Sequence, residues 1–177
     1  MQRLVLLFFV ILFMQPLNLY ANENIKGRLF FQVAATDMNC KLEYDKYILI
    51  NTKNYFDSPV LATFGYGIDA NDIFKSGKNE VKLVVTPVDK PAAPDADRRY
   101  CEIRLSGLLK KEGKEFEFSI PFIVRLDKDG APFSVNKSRM DFPDYDKEEK
   151  NNITVNHKKD GTIESIILDK SINVNFK

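Results

Sequence analysis

The chain holds one histidine and two cysteines, so any side-chain chemistry must be assembled from these or from its acids. A hydrolytic triad needs a nucleophile, an imidazole and an orienting carboxylate. His157 stands just before Lys159-Asp160-Gly161, a hairpin-turn sequence, and no Gly-x-Ser-x-Gly accompanies it. That setting describes an exposed histidine at a strand end. Cys40 and Cys101 form no Cys-x-x-Cys pattern for redox or zinc chemistry. In an oxidising compartment they are expected to form a structural disulfide. Asp141, Asp144 and Asp146 offer hard oxygen ligands of the kind calcium takes, but the EF-hand spacing is absent. Asp127-Lys128-Asp129-Gly130 carries only a fragment of it. The expectation is a solvated acidic loop anchored by Phe142 and Tyr145. With 29% of residues charged, neighbouring carboxylates arise without design, and none is singled out as a glycosidase pair. No catalytic residue, metal or cofactor is expected.

The elements that would carry such residues are strands. Phe116, Phe118, Ile120, Phe122, Val124 and Leu126 alternate with Glu115, Glu117, Ser119 and Arg125, the period of a half-buried strand. Pro121 places that strand at a sheet edge or at a bulge. Shorter alternating runs occupy Arg28–Ala34, Cys40–Tyr44, Tyr47–Asn51, Val60–Tyr66, Val81–Thr86 and Tyr100–Gly107. Ile153–His157, Thr162–Leu168 and Ile172–Phe176 continue the series as a C-terminal meander over about 153–177. Gly77-Lys78-Asn79 opens a strand, Lys128-Asp129-Gly130 stops one, and Lys111-Glu112-Gly113-Lys114 reads as a longer hairpin loop. Asp69–Phe74 and Tyr145–Lys150 are the two stretches that look helical. Many short, regularly spaced strands predict an all-β, antiparallel sandwich.

The start of the chain sets its compartment. Arg3 precedes the apolar run Leu4–Met14, and Leu19-Tyr20-Ala21 supplies a cut, the pattern of a secretory signal peptide. Residues 1–21 are assigned to it and 22–177 to one exported domain, with the bacterial periplasm as destination. The run is too short for a bilayer span, which takes roughly 20 apolar residues. Basic and acidic residues number 26 and 25, and Arg3 is the only charge in the signal. The exported part is therefore neutral, which gives no pull toward nucleic acid or anionic lipid.

The segment Tyr47–Val85 resembles part of the galactose-binding-like jelly roll. The matching residues are Ile48-Leu49-Ile50-Asn51, Asp72-Ile73-Phe74 and Gly77-Lys78-Asn79-Glu80-Val81-Lys82-Leu83. No glycine follows Asn51, and the second half of the chain carries no marker of that family. The resemblance implies a sandwich architecture and does not carry sugar binding with it.

Two segments break the strand pattern and are the candidate contact surfaces. Pro87–Arg99 is rich in proline and aspartate and cannot pair as a strand. The second runs from Asn136 to Asn152. A protein partner, a toxin or an envelope enzyme held by an inhibitor or immunity-type protein, is expected to meet Asp89, Lys90, Asp95, Asp97, Arg98 and Arg99. Asp141, Asp144, Tyr145 and Asp146 would complete that surface. The alternative is a glycan-binding module stacking sugar on Tyr55, Phe56 and Tyr66. The chain has no tryptophan for that task, and the Phe116/Phe118/Phe122 stripe is expected in the core.

Overall fold

An alternating strand buries one row of side chains only if a second layer covers it, and this chain supplies both layers. The computed structural model describes residues 25–54, 60–69, 74–93, 95–136, 148–149 and 153–177. In chain order the strands are β1 (Lys26–Thr36), β2 (Met38–Tyr44), β3 (Tyr47–Asn51), β4 (Val60–Asp69), β5 (Gly77–Pro87) and β6 (Tyr100–Lys111). There follow β7 (Lys114–Leu126), β8 (Pro132–Val135), β9 (Glu148–Glu149), β10 (Ile153–His157) and β11 (Ile163–Val174). Short 3-10 turns lie at Thr52–Asn54 and Ala96–Arg98. One sheet runs β4-β1-β6-β7-β8-β9 and the other β10-β11-β5-β2-β3, with every pairing antiparallel. The fold is an all-β sandwich.

Leu29, Phe31, Val33, Ile103, Leu105 and Phe122 of the first sheet share one core with Leu42, Leu83, Val85, Ile166 and Leu168 of the second. All are fully enclosed, each worth roughly 1.5–3 kcal/mol of transfer free energy. The disulfide forms as expected: Cys40 in β2 and Cys101 in β6 join the two sheets, with Cα atoms 6.0 Å apart.

The long strand β7 departs from simple alternation. Up to Ser119 its polar row is exposed, but Ile123 is fully buried and Arg125 is only 8% exposed, so its last residues are covered on both faces. Arg125 is therefore not the solvent-facing residue its alternation suggested. Its Nη2 lies 3.9 Å from Glu102 Oε2, and its guanidinium sits 5.4 Å from the centre of the Tyr100 ring. Pro121 is at an edge. It pairs with Arg104 on β6, while β8 pairs only with Val124–Leu126. Its free carbonyl accepts a hydrogen bond from Lys170 Nζ at 2.8 Å.

Other expectations need correction. Thr162–Leu168 and Ile172–Phe176 are not separate strands, because β11 runs unbroken between β10 and β5. Lys170 causes the misreading: it occupies the inward row opposite the buried Val81, and its ammonium escapes to Pro121 and to Asn136 Oδ1. Glu148–Glu149 pair with Ser134–Val135 as a strand instead of joining a helix. Asp69 is the last residue of β4, and residues 70–73, where it would cap a helical turn, lie outside the described residues. The β6–β7 connection is a tight turn on Glu112 and Gly113, both at positive φ, so Lys111 and Lys114 already pair.

The expectation for Gly77-Lys78-Asn79 holds. Gly77, at φ 91°, opens β5, and the buried Asn79 amide ties the turn together. Its Nδ2 donates to the carbonyls of Lys75 and Gly77, and its Oδ1 accepts from the Lys75 amide and the Tyr44 hydroxyl. Burial, and behind it the Asp45 carboxylate, raises the Tyr44 phenol above its usual pKa. The phenol is thereby kept as a donor.

Candidate functional site

The candidate surface grows out of Asp37, which sequence reasoning passed over. It is the single residue between β1 and β2, where the chain leaves one sheet for the other, and it takes a left-handed φ of 53°. Aspartate tolerates that conformation better than most residues. The side chain is 3% exposed and points its carboxylate at the Pro87–Arg99 segment. Oδ1 accepts from the Ala92 amide at 2.9 Å and Oδ2 from the Ala93 amide at 2.6 Å. The Asp37 carbonyl accepts from the Val88 amide at 3.1 Å. Charge-assisted bonds of this kind contribute roughly 1.5–3 kcal/mol each.

The loop is tied at its far end as well. Arg99 Nη2 donates to the Ala93 carbonyl at 3.2 Å, and the Arg99 carbonyl accepts from the Leu126 amide. Between these anchors the 3-10 turn Ala96–Arg98 closes on the Asp95 and Ala96 carbonyls. The charged side chains are left outside. Asp89, Lys90, Asp95, Asp97 and Arg98 are exposed, and only Arg99 is half-buried. Asp95 and Arg98 pair at 3.3 Å, and Asp89 lies 3.8 Å from Lys158 of the β10–β11 turn. Exposed pairs like these stabilise little, so both acids stay open to a stronger partner.

Of the other sequence candidates, Asp141, Asp144, Tyr145 and Asp146 lie outside the described residues, as do Tyr55 and Phe56. Tyr66 belongs to β4, in register opposite the fully buried Leu29. His157 is exposed at the end of β10, with Nδ1 3.1 Å from the Gly161 carbonyl. In the same turn the Thr162 hydroxyl, then its amide, hold the Asp160 carboxyl below the usual carboxylate range. Asp127 uses Oδ1 to accept from the amides of Asp129 and Ala131, which shapes the β7–β8 turn.

Nothing in its neighbours singles Asp37 out: the alternating runs Arg28–Ala34 and Cys40–Tyr44 leave residues 35–39 between them, room for an ordinary turn. Among the described residues no group of three or more His, Cys, Asp or Glu side chains is placed to hold a metal ion. The surface offers charge and shape, held at fixed backbone positions. No protein-family model, curated protein or solved structure matches this chain.

Proposed function

We propose that this is an exported, non-enzymatic binding protein that engages a protein partner through the 88–99 loop, in the manner of an inhibitor or immunity protein acting in the periplasm. The observation that carries this reading is the pair of hydrogen bonds from the Ala92 and Ala93 amides to the buried Asp37 carboxylate. A loop already held in shape loses little further conformational entropy on binding, so more of its contact energy appears as affinity. Its exposed charges of both signs suit selection of one complementary protein surface. The Cys40–Cys101 bridge is compatible with the oxidising compartment that the N-terminal sequence implies.

The test is capture from an envelope extract by the tagged, oxidised protein. One protein should be retained at stoichiometric yield. A variant combining Asp95→Ala, Asp97→Ala and Arg98→Ala, all exposed positions, should lose it while melting at the parent temperature. Capture that survives this variant overturns the reading. Retention on a polysaccharide column, abolished by Tyr55→Ala with Phe56→Ala, would replace it with glycan binding.

A further inference from the structure

The opposite end of the sandwich carries a second feature, which the loop reading leaves unused. A cleft of about 420 Å³ opens between the β6–β7 turn, the start of β5 and the residues after β11. Its polar lining comes from Ser76, Lys111, Lys114, Asn173 and Asn175, with Phe176 as one wall and Glu112 its single acid. That volume is within the range of small-molecule sites, roughly 300–1,000 Å³. The lining is rich in donors: two ammonium groups, a hydroxyl and two amides.

The charge arrangement around it conflicts with sheet stability. Lys111 sits directly opposite Lys114 at the β6–β7 turn, whereas Lys26, opposite Lys110 on β6, has Asp69 opposite it on β4. Like charges placed so are destabilising, and sheets ordinarily avoid them. Lys110 finds relief in an ion pair with Glu115, and Lys111 Nζ reaches Ser76 Oγ at 3.4 Å. Lys114 stands exposed beside the cleft. Sequences break such local rules chiefly where function compensates, and an anion seated between the ammonium groups would turn repulsion into attraction. Lysine serves as a point charge for tetrahedral oxyanions, while hydroxyl and amide donors fill the remaining oxygen lone pairs.

We propose that this cleft is a binding site for a phosphate group, held by Lys111 and Lys114 with Ser76, Asn173 and Asn175 as neutral donors. The phosphate can be free or carried on a lipid headgroup, and the chemistry of recognition is the same. The site is independent of the loop-end reading.

The experiment titrates the full oxidised protein with inorganic phosphate against chloride at matched ionic strength, following amide chemical shifts. Saturable shifts are expected at Ser76, Gly77 and Asn173 with phosphate and not with chloride. Lys111→Gln combined with Lys114→Gln should weaken binding by about tenfold or more, the loss of one to two charge-assisted bonds. These exposed or half-buried changes should leave the melting temperature at or above the parent value. A second arm uses phosphatidylcholine vesicles with and without phosphatidylglycerol: retention only on the latter, lost in the double variant, identifies the headgroup as the source. Saturation by free phosphate alone identifies a soluble ligand. Absence of saturable binding in both arms, or unchanged affinity in the double variant, overturns the proposal.

Discussion

The two ends of this sandwich are closed by different physics. At the loop end the sheets are joined covalently by Cys40–Cys101, and the long connection is held by the buried Asp37 carboxylate. At the turn end there is no covalent link. Closure rests on an aromatic chain in which Tyr44 meets Phe74, Phe74 meets Phe118, Phe118 stacks on Phe116, and Phe116 meets Phe176. The Asn79 amide adds a knot of hydrogen bonds beside it. A cross-link and an ionic anchor fix backbone positions, which suits a surface that must present charges in set places. Ring packing fixes the strands and leaves the turn above them free to carry surplus lysines.

If the loop end depends on its cross-link, removing it gives the largest effect. Replacing both cysteines by alanine releases a constraint on residues 61 apart. The chain-entropy model puts that at about 4 kcal/mol. Urea denaturation should show this loss, matched by reduction of the parent protein, and a change below about 1 kcal/mol would mean that packing alone closes both ends.

At the turn end the matching change is Phe118→Ala. The Phe118 ring covers Gly107, whose absent Cβ would fall 2.4 Å from the ring edge, so the glycine leaves the space that the ring fills. Truncation should cost about 3 kcal/mol, since neither Gly107 nor the other rings can refill the void. The restoring change Gly107→Ala in the Phe118→Ala background should recover part of it. If it recovers nothing, the two positions are not coupled as the packing requires.

Asp37→Asn sharpens the contrast at smaller cost. Asparagine keeps the left-handed φ but offers one acceptor oxygen where two amides arrive, so one bond is lost. The expected global cost is about 1–2 kcal/mol. The more telling measurement is hydrogen exchange, where the Ala92 and Ala93 amides should speed up by at least about tenfold while β5 and β6 amides keep their relative order. Equal acceleration everywhere would show that Asp37 serves the fold and not the loop.

What the sequence made legible follows the range of the forces involved. The β7 stripe, the Gly77 turn and the proline-rich loop are written in neighbouring residues, by period, by φ requirement and by missing amide hydrogens. Asp37 was not legible, because its partners lie 55 and 56 residues away and only the folded corner brings them together. Lys170 misled for the same reason: a lysine between two apolar runs reads as a turn unless Pro121 and Asn136 are known to receive it. Arg125 alternated correctly, yet the second face of β7 is covered near its end. Lys111 and Lys114 read as ordinary hairpin charges until the residues after β11 are placed beside them.

The smallest expected effect tests the turn end by pH. Tyr44→Phe deletes one hydroxyl and its bond to Asn79 Oδ1, at a cost of about 1 kcal/mol near neutrality. The unfolded chain releases a tyrosine proton at about pH 10. In the folded chain burial, with Asp45 adding to it, raises that pKa. The protonated phenol therefore stabilises the fold fully below about pH 10, and the contribution is lost as pH rises through the folded value. The phenylalanine variant has no such proton, so the gap between parent and variant should hold steady in mild alkali and narrow once the pH passes about 10. Paired urea titrations across that window measure it. A gap that stays constant would mean that the phenol titrates in the fold as it does in water, and a widening gap that the fold lowers its pKa; either outcome would contradict a phenol whose proton is held by burial.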